Sequence, residues 1–233
     1  MRLLSFAVGG RESWGAVVGD DVADIGRTLP NYLTLADFVG SAEFERREAL
    51  VASAIGSQKL PDVDVLPVIP RPEKIVCAVR NYLDHHNEAV ASGLRREITE
   101  FPPIFLRAWR SLVGHNAPVI RPKVSDQLDW EGELAVVIGT PDEIGDPTAL
   151  KLETRVNGEI VQQSDTSQLI FSIPRFVHYC STIFDLMPGD VIATGTPAGV
   201  GFARKPPVFL KPGDVVEVEI EKIGVLRNPV VAE

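Results

Sequence analysis

Apolar residues in this chain fall mostly into short alternating or continuous runs, the signature of strands, and take helical spacing in only a few places. The runs at 3–8, 14–18 and 22–25 predict a small sheet. Across 41–55, Phe44, Leu50, Val51 and Ile55 recur at roughly helical spacing behind Ser41, a residue suited to an N-cap, which predicts an amphipathic helix. Pro61, Pro67, Pro70 and Pro72 stiffen the chain that follows and predict a linker. Residues 1–70 are therefore expected to form a small N-terminal α/β unit, and 71–233 a second, larger domain.

In the second region, 75–79 reads as a strand that gives way to a helix over 81–89, followed by a short strand at 102–107 and a loop at 111–116. Asn157-Gly158 sits between two strand-like runs, 150–157 and 159–164, and favours the positive φ of a tight hairpin. Ser172 and Pro174 open a helix whose apolar stripe is Phe176, Val177, Cys180 and Ile183. Pro-Gly-Asp turns at 188–190 and 212–214 each lead into a strand, and 215–220 with 225–231 predict a closing antiparallel pair.

The run Trp130-Glu131-Gly132-Glu133-Leu134-Ala135-Val136-Val137-Ile138-Gly139 reads as a buried strand headed by two acids. Alternation puts Glu131 and Glu133 on one face with Ala135 and Val137, and Gly132 on the other with Leu134 and Val136. At ~5 Å and an effective dielectric of ~20, two such anions repel by roughly 3 kcal/mol. A hard divalent cation with oxygen ligands would relieve that repulsion. A hydrated strand end would do so equally well.

His85 and Glu88 lie three apart on the predicted helix, so the carboxylate can orient the imidazole as a general base. The same spacing also describes an ordinary solvated helix face. Arg107, at the end of a short strand, is a candidate for a substrate carboxylate and by its residues alone equally a surface arginine. His86, His115 and His178 carry no pattern. The loop Ala193-Thr194-Gly195-Thr196-Pro197-Ala198-Gly199-Val200-Gly201 offers backbone N–H groups to a ligand, but no lysine follows its glycines, so it is not a nucleotide-phosphate loop.

Composition narrows the setting. With 233 residues, 45% of them hydrophobic, the chain buries a sizeable core. A formal charge of −9 argues against a nucleic acid partner, since phosphate binding needs a basic surface. Cys77 and Cys180 lie in apolar runs, as buried thiols in a reducing compartment do. No signal-peptide pattern or ~18-residue apolar span is present, so a cytoplasmic protein with no membrane partner is expected.

Asn81-Tyr82 with Asp84-His85 and Glu88, the run 131–139, Val156-Asn157-Gly158-Glu159, the loop 194–201, and 212–218 through Leu226-Arg227-Asn228-Pro229 together resemble the fumarylacetoacetate hydrolase family, in order, over 75–233. The resemblance implies an α+β, mostly β fold with a mixed β-roll catalytic domain. It also implies a homodimer and a divalent metal, usually Mg²⁺ and sometimes Mn²⁺ or Ca²⁺. By the same resemblance, Glu131 and Glu133 are metal ligands, His85 and Glu88 a water-activating dyad on a mobile lid, and Thr196 a contact to the substrate carboxylate. The implied activity is hydrolytic C–C cleavage of acylpyruvate or 2,4-dioxo-acid substrates. The alternatives are isomerisation or decarboxylation of a 2-oxo dicarboxylic acid in aromatic catabolism, or a binding scaffold that has lost catalysis. Arg107 and the segment 91–100 are expected to shape specificity.

One departure stands out. The family carries a long excursion after this strand, with a third acidic metal ligand and a substrate-binding lysine, and here its two ends meet at Gly139–Thr140. The absence fits either a true internal deletion or a sequence closed over residues the protein carries, and the second is favoured. An intact mass of 25.4 kDa would establish the deletion.

Overall fold

A computed structural model describes residues 2–93, 97–139 and 144–233. The first sheet uses β1 (Leu3–Val8), β2 (Arg11–Val18), β3 (Asp21–Ala23), β4 (Gln58–Lys59) and β5 (Asp64–Val65), in the order β4-β3-β2-β1-β5. β1 is buried on both faces because two clusters sandwich the sheet. Leu4, Phe6, Val22 and Val63 form one, and Trp14, Ala16, Ile25, Leu35, Phe38 and Phe44 form the other. Three short helices, α1 (Ile25–Thr28), α2 (Leu35–Val39) and α3 (Arg47–Ser53), cover the second cluster, where the Trp14 and Phe38 rings stack at 4.6 Å.

Two expectations change here. The single helix over 41–55 is a 3₁₀ turn, Ala42–Arg46, followed by α3, since only Phe44 of that stretch is buried and one anchor cannot align a longer stripe. Ser41 donates its hydroxyl to the Phe38 carbonyl instead of capping. The proline-rich stretch is also more than a linker, because Asp64–Val65 pairs with Phe6 and Ala7.

Two further sheets follow. β6 (Ile75–Ala78), α4 (Leu83–Ala91), β7 (Ile104–Leu106), β8 (Val119–Arg121), β9 (Ala135–Val137), β10 (Lys151–Val156), β11 (Glu159–Asp165), α5 (Ile173–Ile183), β12 (Val191–Ala193), β13 (Val215–Ile220) and β14 (Gly224–Ala232) follow in chain order. The sheet β7-β6-β12-β9 packs one face on α5 through Val76, Ala78, Phe176, Cys180 and Ile192, while Val137 and Val191 reach the core of the first sheet. The other sheet runs β11-β10-β13-β14-β8. Asn157 (φ 55°) and Gly158 (φ 82°) make the β10–β11 hairpin as anticipated. More of the chain is strand than helix, the α+β, mostly β class. Cys77 and Cys180 are buried free thiols. Among the described residues no helix is long and apolar enough to cross a membrane.

Candidate active site

The acid-bearing run is a regular strand only at β9. Residues 130–134 are extended but spend their backbone groups elsewhere: the Trp130 N–H on Asp129 Oδ1, the Gly132 N–H on Gln162 Oε1 at 2.9 Å, and the Leu134 carbonyl on the Thr194 N–H and hydroxyl. The alternation nonetheless holds, with Trp130, Gly132 and Leu134 buried, Glu131 exposed and Glu133 half-buried on the opposite side. Gly132 is required by close approach. A Cβ there would lie 2.1 Å from Thr154 Oγ1. Gly132→Ala is expected to push the two acids out of place and cost about 1–3 kcal/mol, measurable as a lower melting temperature.

The loop after β12 was expected to turn its N–H groups toward a ligand. Those of Gly195, Gly199 and Gly201 bind the protein's own carboxylates, as does that of Phe202 just beyond the loop. The Gly195 N–H donates to Glu133 Oε2 (2.8 Å), Gly199 to Glu88 Oε1 (3.0 Å), Gly201 to Asp129 Oδ1 (2.7 Å) and Phe202 to Asp129 Oδ2 (2.7 Å). Acids are strong acceptors of such bonds. The loop therefore fixes two segments that are distant in sequence, α4 through Glu88 and the stretch 129–133 through Asp129 and Glu133. Asn81 adds a staple, its amide donating to the Phe171 and Thr194 carbonyls and accepting from the Phe171 N–H, which anchors the start of α4.

On α4, His85 Nδ1 lies 3.0 Å from Glu88 Oε2. An ionised carboxylate only accepts, so in the neutral imidazole Nδ1 carries the proton and Nε2 the lone pair. Both side chains are largely shielded, at 13% and 21% exposure, so the solvated-surface reading of this pair falls away. Gly199 holds Glu88 from behind, so the dyad is docked against the loop. Of the remaining histidines, His86 is buried and His115 Nδ1 accepts from the Arg227 N–H.

The electrostatics converge on one spot. Burial, reinforced by Glu131, pushes Glu133 up to about 7 against the opposing Gly195 N–H and Arg107 charge. Glu131 is also raised, by desolvation and by Asp129, with His85 and Arg107 opposing. Burial lifts the Cys77 thiol to about 11, and Glu133, Glu131 and Arg107 all act on it. Arg107 is exposed, yet its charge falls on both acids, so it belongs to the site's surroundings. Thr196 is buried, and its Oγ1 accepts from Gln162 Nε2 at 2.8 Å.

Two neighbouring carboxylates, one of them half-buried with its charge disfavoured, fit a hard divalent cation as two oxygen ligands, leaving the other positions to water and substrate. Among the described residues no group of three or more His, Cys, Asp or Glu side chains is placed to hold a metal. Asp129 is spent on backbone N–H groups, and Asp165 accepts from the Ser167 N–H. The junction at Thr140, the acids Asp142 and Glu143, and residues 94–96 of the expected specificity segment lie outside the described residues. The structure brings His85, Glu88, Glu131, Glu133 and Arg107 into one electrostatic neighbourhood, with Thr196 on the loop that holds Glu88 and Glu133. Sequence reasoning missed Asp129 and Gln162, whose roles depend on partners tens of residues away.

Comparison with known proteins follows the same residues. A family profile described as fumarylacetoacetate (FAA) hydrolase C-terminal matches 74–143 and 138–231, two pieces that overlap where the excursion is missing. The human mitochondrial oxaloacetate tautomerase FAHD2A is 33% identical over 259 residues, covering 88% of this chain and 81% of its own. Since 88% of 233 residues is about 205, the relative has many aligned positions with no counterpart here. Among solved structures, a fumarylacetoacetate hydrolase from Exiguobacterium antarcticum superposes with TM-score 0.79 at 27% identity over 100% of both chains. Maleylpyruvate hydrolase from Sphingobium sp. SYK-6, in complex with manganese(II) and pyruvate, gives 0.79 at 26% identity over 100% of this chain and 99% of its own.

Proposed function

Since the chain belongs to the fumarylacetoacetate hydrolase family, we propose that it hydrolyses a C–C bond in acylpyruvate or 2,4-dioxo-acid substrates. His85 is the base, Glu88 its orienting partner, Thr196 and Arg107 the anchors for substrate carboxylate, and Glu131 and Glu133 the ligands of a divalent cation, Mg²⁺ first. The observation that carries this reading is the His85–Glu88 pair, shielded, held by Gly199, and close enough to Glu131 for the imidazole to act on its charge.

A cation on Glu131 and Glu133 supplies Lewis-acid polarisation of a 2-oxo group. The chain's own residues do the rest. Nε2 of His85 takes a proton from water, whose oxygen adds to the distal carbonyl carbon. The C–C bond to that carbon breaks, and its electron pair passes to the 2-oxo acid portion as an enolate. The imidazolium, stabilised by Glu88, returns its proton to the enolate carbon. The Thr196 hydroxyl donates to the substrate carboxylate, and the Arg107 charge favours the anion's entry.

The oxaloacetate tautomerase relatives favour a second reading in which the same base moves a proton on a 2-oxo dicarboxylic acid and no bond to carbon is broken. Turnover separates the two: loss of the acylpyruvate enol absorbance with release of two acids for the first, oxaloacetate keto–enol exchange without CO₂ for the second. Activity on neither, with Mg²⁺ or Mn²⁺ present, would overturn both and leave the binding scaffold. With two carboxylates placed for it among the described residues, Mg²⁺ is expected to bind weakly and its binding to be abolished by Glu131→Ala in a calorimetric titration.

A further inference from the structure

We propose that Gln162 is a positioning residue for substrate binding: its amide fixes the Thr196 hydroxyl as an acceptor toward the protein and so turns the hydroxyl proton to the substrate carboxylate. The inference deepens the assignment of Thr196 above and rests on it.

Gln162, on β11, is 2% exposed and makes three hydrogen bonds. Its Oε1 accepts from the Gly132 N–H at 2.9 Å, and its Nε2 donates to the Pro197 carbonyl at 2.8 Å and to Thr196 Oγ1 at 2.8 Å. A backbone N–H can only donate and a backbone carbonyl can only accept, so these two partners fix which end of the amide is oxygen and which is nitrogen. The remaining amide hydrogen then meets Thr196 Oγ1, which must accept it. A threonine hydroxyl has one proton, and here that proton is not needed for the contact with Gln162. An anionic carboxylate offers only lone pairs, so a hydroxyl that has already accepted from the protein is matched to it. One whose proton was drawn inward would present lone pairs to an anion.

The same amide holds Gly132, the residue between Glu131 and Glu133. One side chain thus sets both the spacing of the acids and the polarity of the hydroxyl. Glu88, Asp129 and Glu133 reach the loop through backbone N–H groups, whereas Gln162 acts on the side chain that faces the substrate.

The test is a double-mutant cycle read by calorimetric binding of oxamate, a stable isostere of pyruvate, to the Mg²⁺-supplemented enzyme. Thr196→Val is expected to weaken oxamate about tenfold, the loss of one hydrogen bond to a charged group. Gln162→Met, which keeps the length and drops the two donors together with the acceptor for Gly132, is expected to weaken it about as much in the wild-type background and by less than about twofold in Thr196→Val. Gln162→Glu, acceptor-only when ionised, draws the Thr196 proton to itself and is expected to reproduce that loss should the methionine variant fold poorly. Equal losses from Gln162→Met in both backgrounds would mean a purely structural role and overturn the inference. If Thr196→Val leaves oxamate binding unchanged, the carboxylate contact itself is refuted, and the inference with it. Oxamate binding that follows the cycle in an enzyme without acylpyruvate turnover would overturn the proposed reaction and uphold the positioning role.

Discussion

Replacing His85 by alanine is expected to lower kcat/KM for an acylpyruvate by about 10²–10⁴-fold, the usual worth of a positioned general base. Oxamate affinity and melting temperature should stay close to wild type. The first part follows from the lone pair. With Nδ1–H given to Glu88, Nε2 is the nitrogen left to take a proton, and none of the other three histidines is poised to replace it: His86 is buried, His115 is engaged by Arg227, and His178 lies exposed on α5. The second follows from where α4 is held. His86, Ala89 and the Glu88–Gly199 bond anchor the helix, whereas His85 contributes only its contact to Glu88. Glu88→Gln should fall between wild type and the alanine variant, because its amide can still accept from Nδ1–H but no longer neutralises the imidazolium. Stopped-flow decay of enol absorbance measures both. A His85→Ala enzyme within about threefold of wild type would remove His85 from the reaction.

The parts of this site that repeat along a local period were legible in the sequence. The period-2 alternation placed Glu131 and Glu133 opposite Gly132 and Leu134, even though the regular strand shrinks to three residues, because parity survives in an extended segment without a ladder. The i,i+3 spacing placed Glu88 against His85, and Asn157-Gly158 marked its hairpin. What could not be read were contacts between segments 30 to 111 positions apart: Gln162 to Gly132, Gln162 to Thr196, Glu133 to Gly195, Asp129 to Gly201 and Glu88 to Gly199. An aspartate before a tryptophan and a glutamine in a strand look like ordinary surface residues until the tertiary fold brings glycine N–H groups to them. The partners of the loop 193–201 were out of reach for the same reason. Its donors suit an anion, and for Gly195, Gly199 and Gly201 that anion is one of the protein's own side chains.

That arrangement sets the second large effect, the dependence of stability on pH in the cation-free protein. Glu133 is held up to about 7 mainly by burial, whereas an unfolded glutamate titrates near 4.5. Between those values the folded state binds the proton more tightly, so stability contributed by Glu133 is fully present below about pH 4.5 and is lost as pH rises through 7. The shift corresponds to about 3 kcal/mol between the two limits. Other carboxylates, such as Glu12 with its Arg71 partner, titrate in the opposite sense and mask the trend in the wild-type curve alone. The difference from Glu133→Gln isolates it. In chelator, the gap in unfolding free energy between Glu133→Gln and wild type should move in the variant's favour by about 3 kcal/mol from pH 4.5 to 8, because the amide carries no charge to bury. Mg²⁺ binds the ionised carboxylate and competes with its proton, so adding it at pH 8 should return part of that stability to wild type and none to the variant. Chemical denaturation of both proteins across this range, with and without Mg²⁺, measures the gap. A gap that does not change with pH would mean that Glu133 is solvated in the folded chain, and a pair of hydrated acids would offer no pocket for a cation.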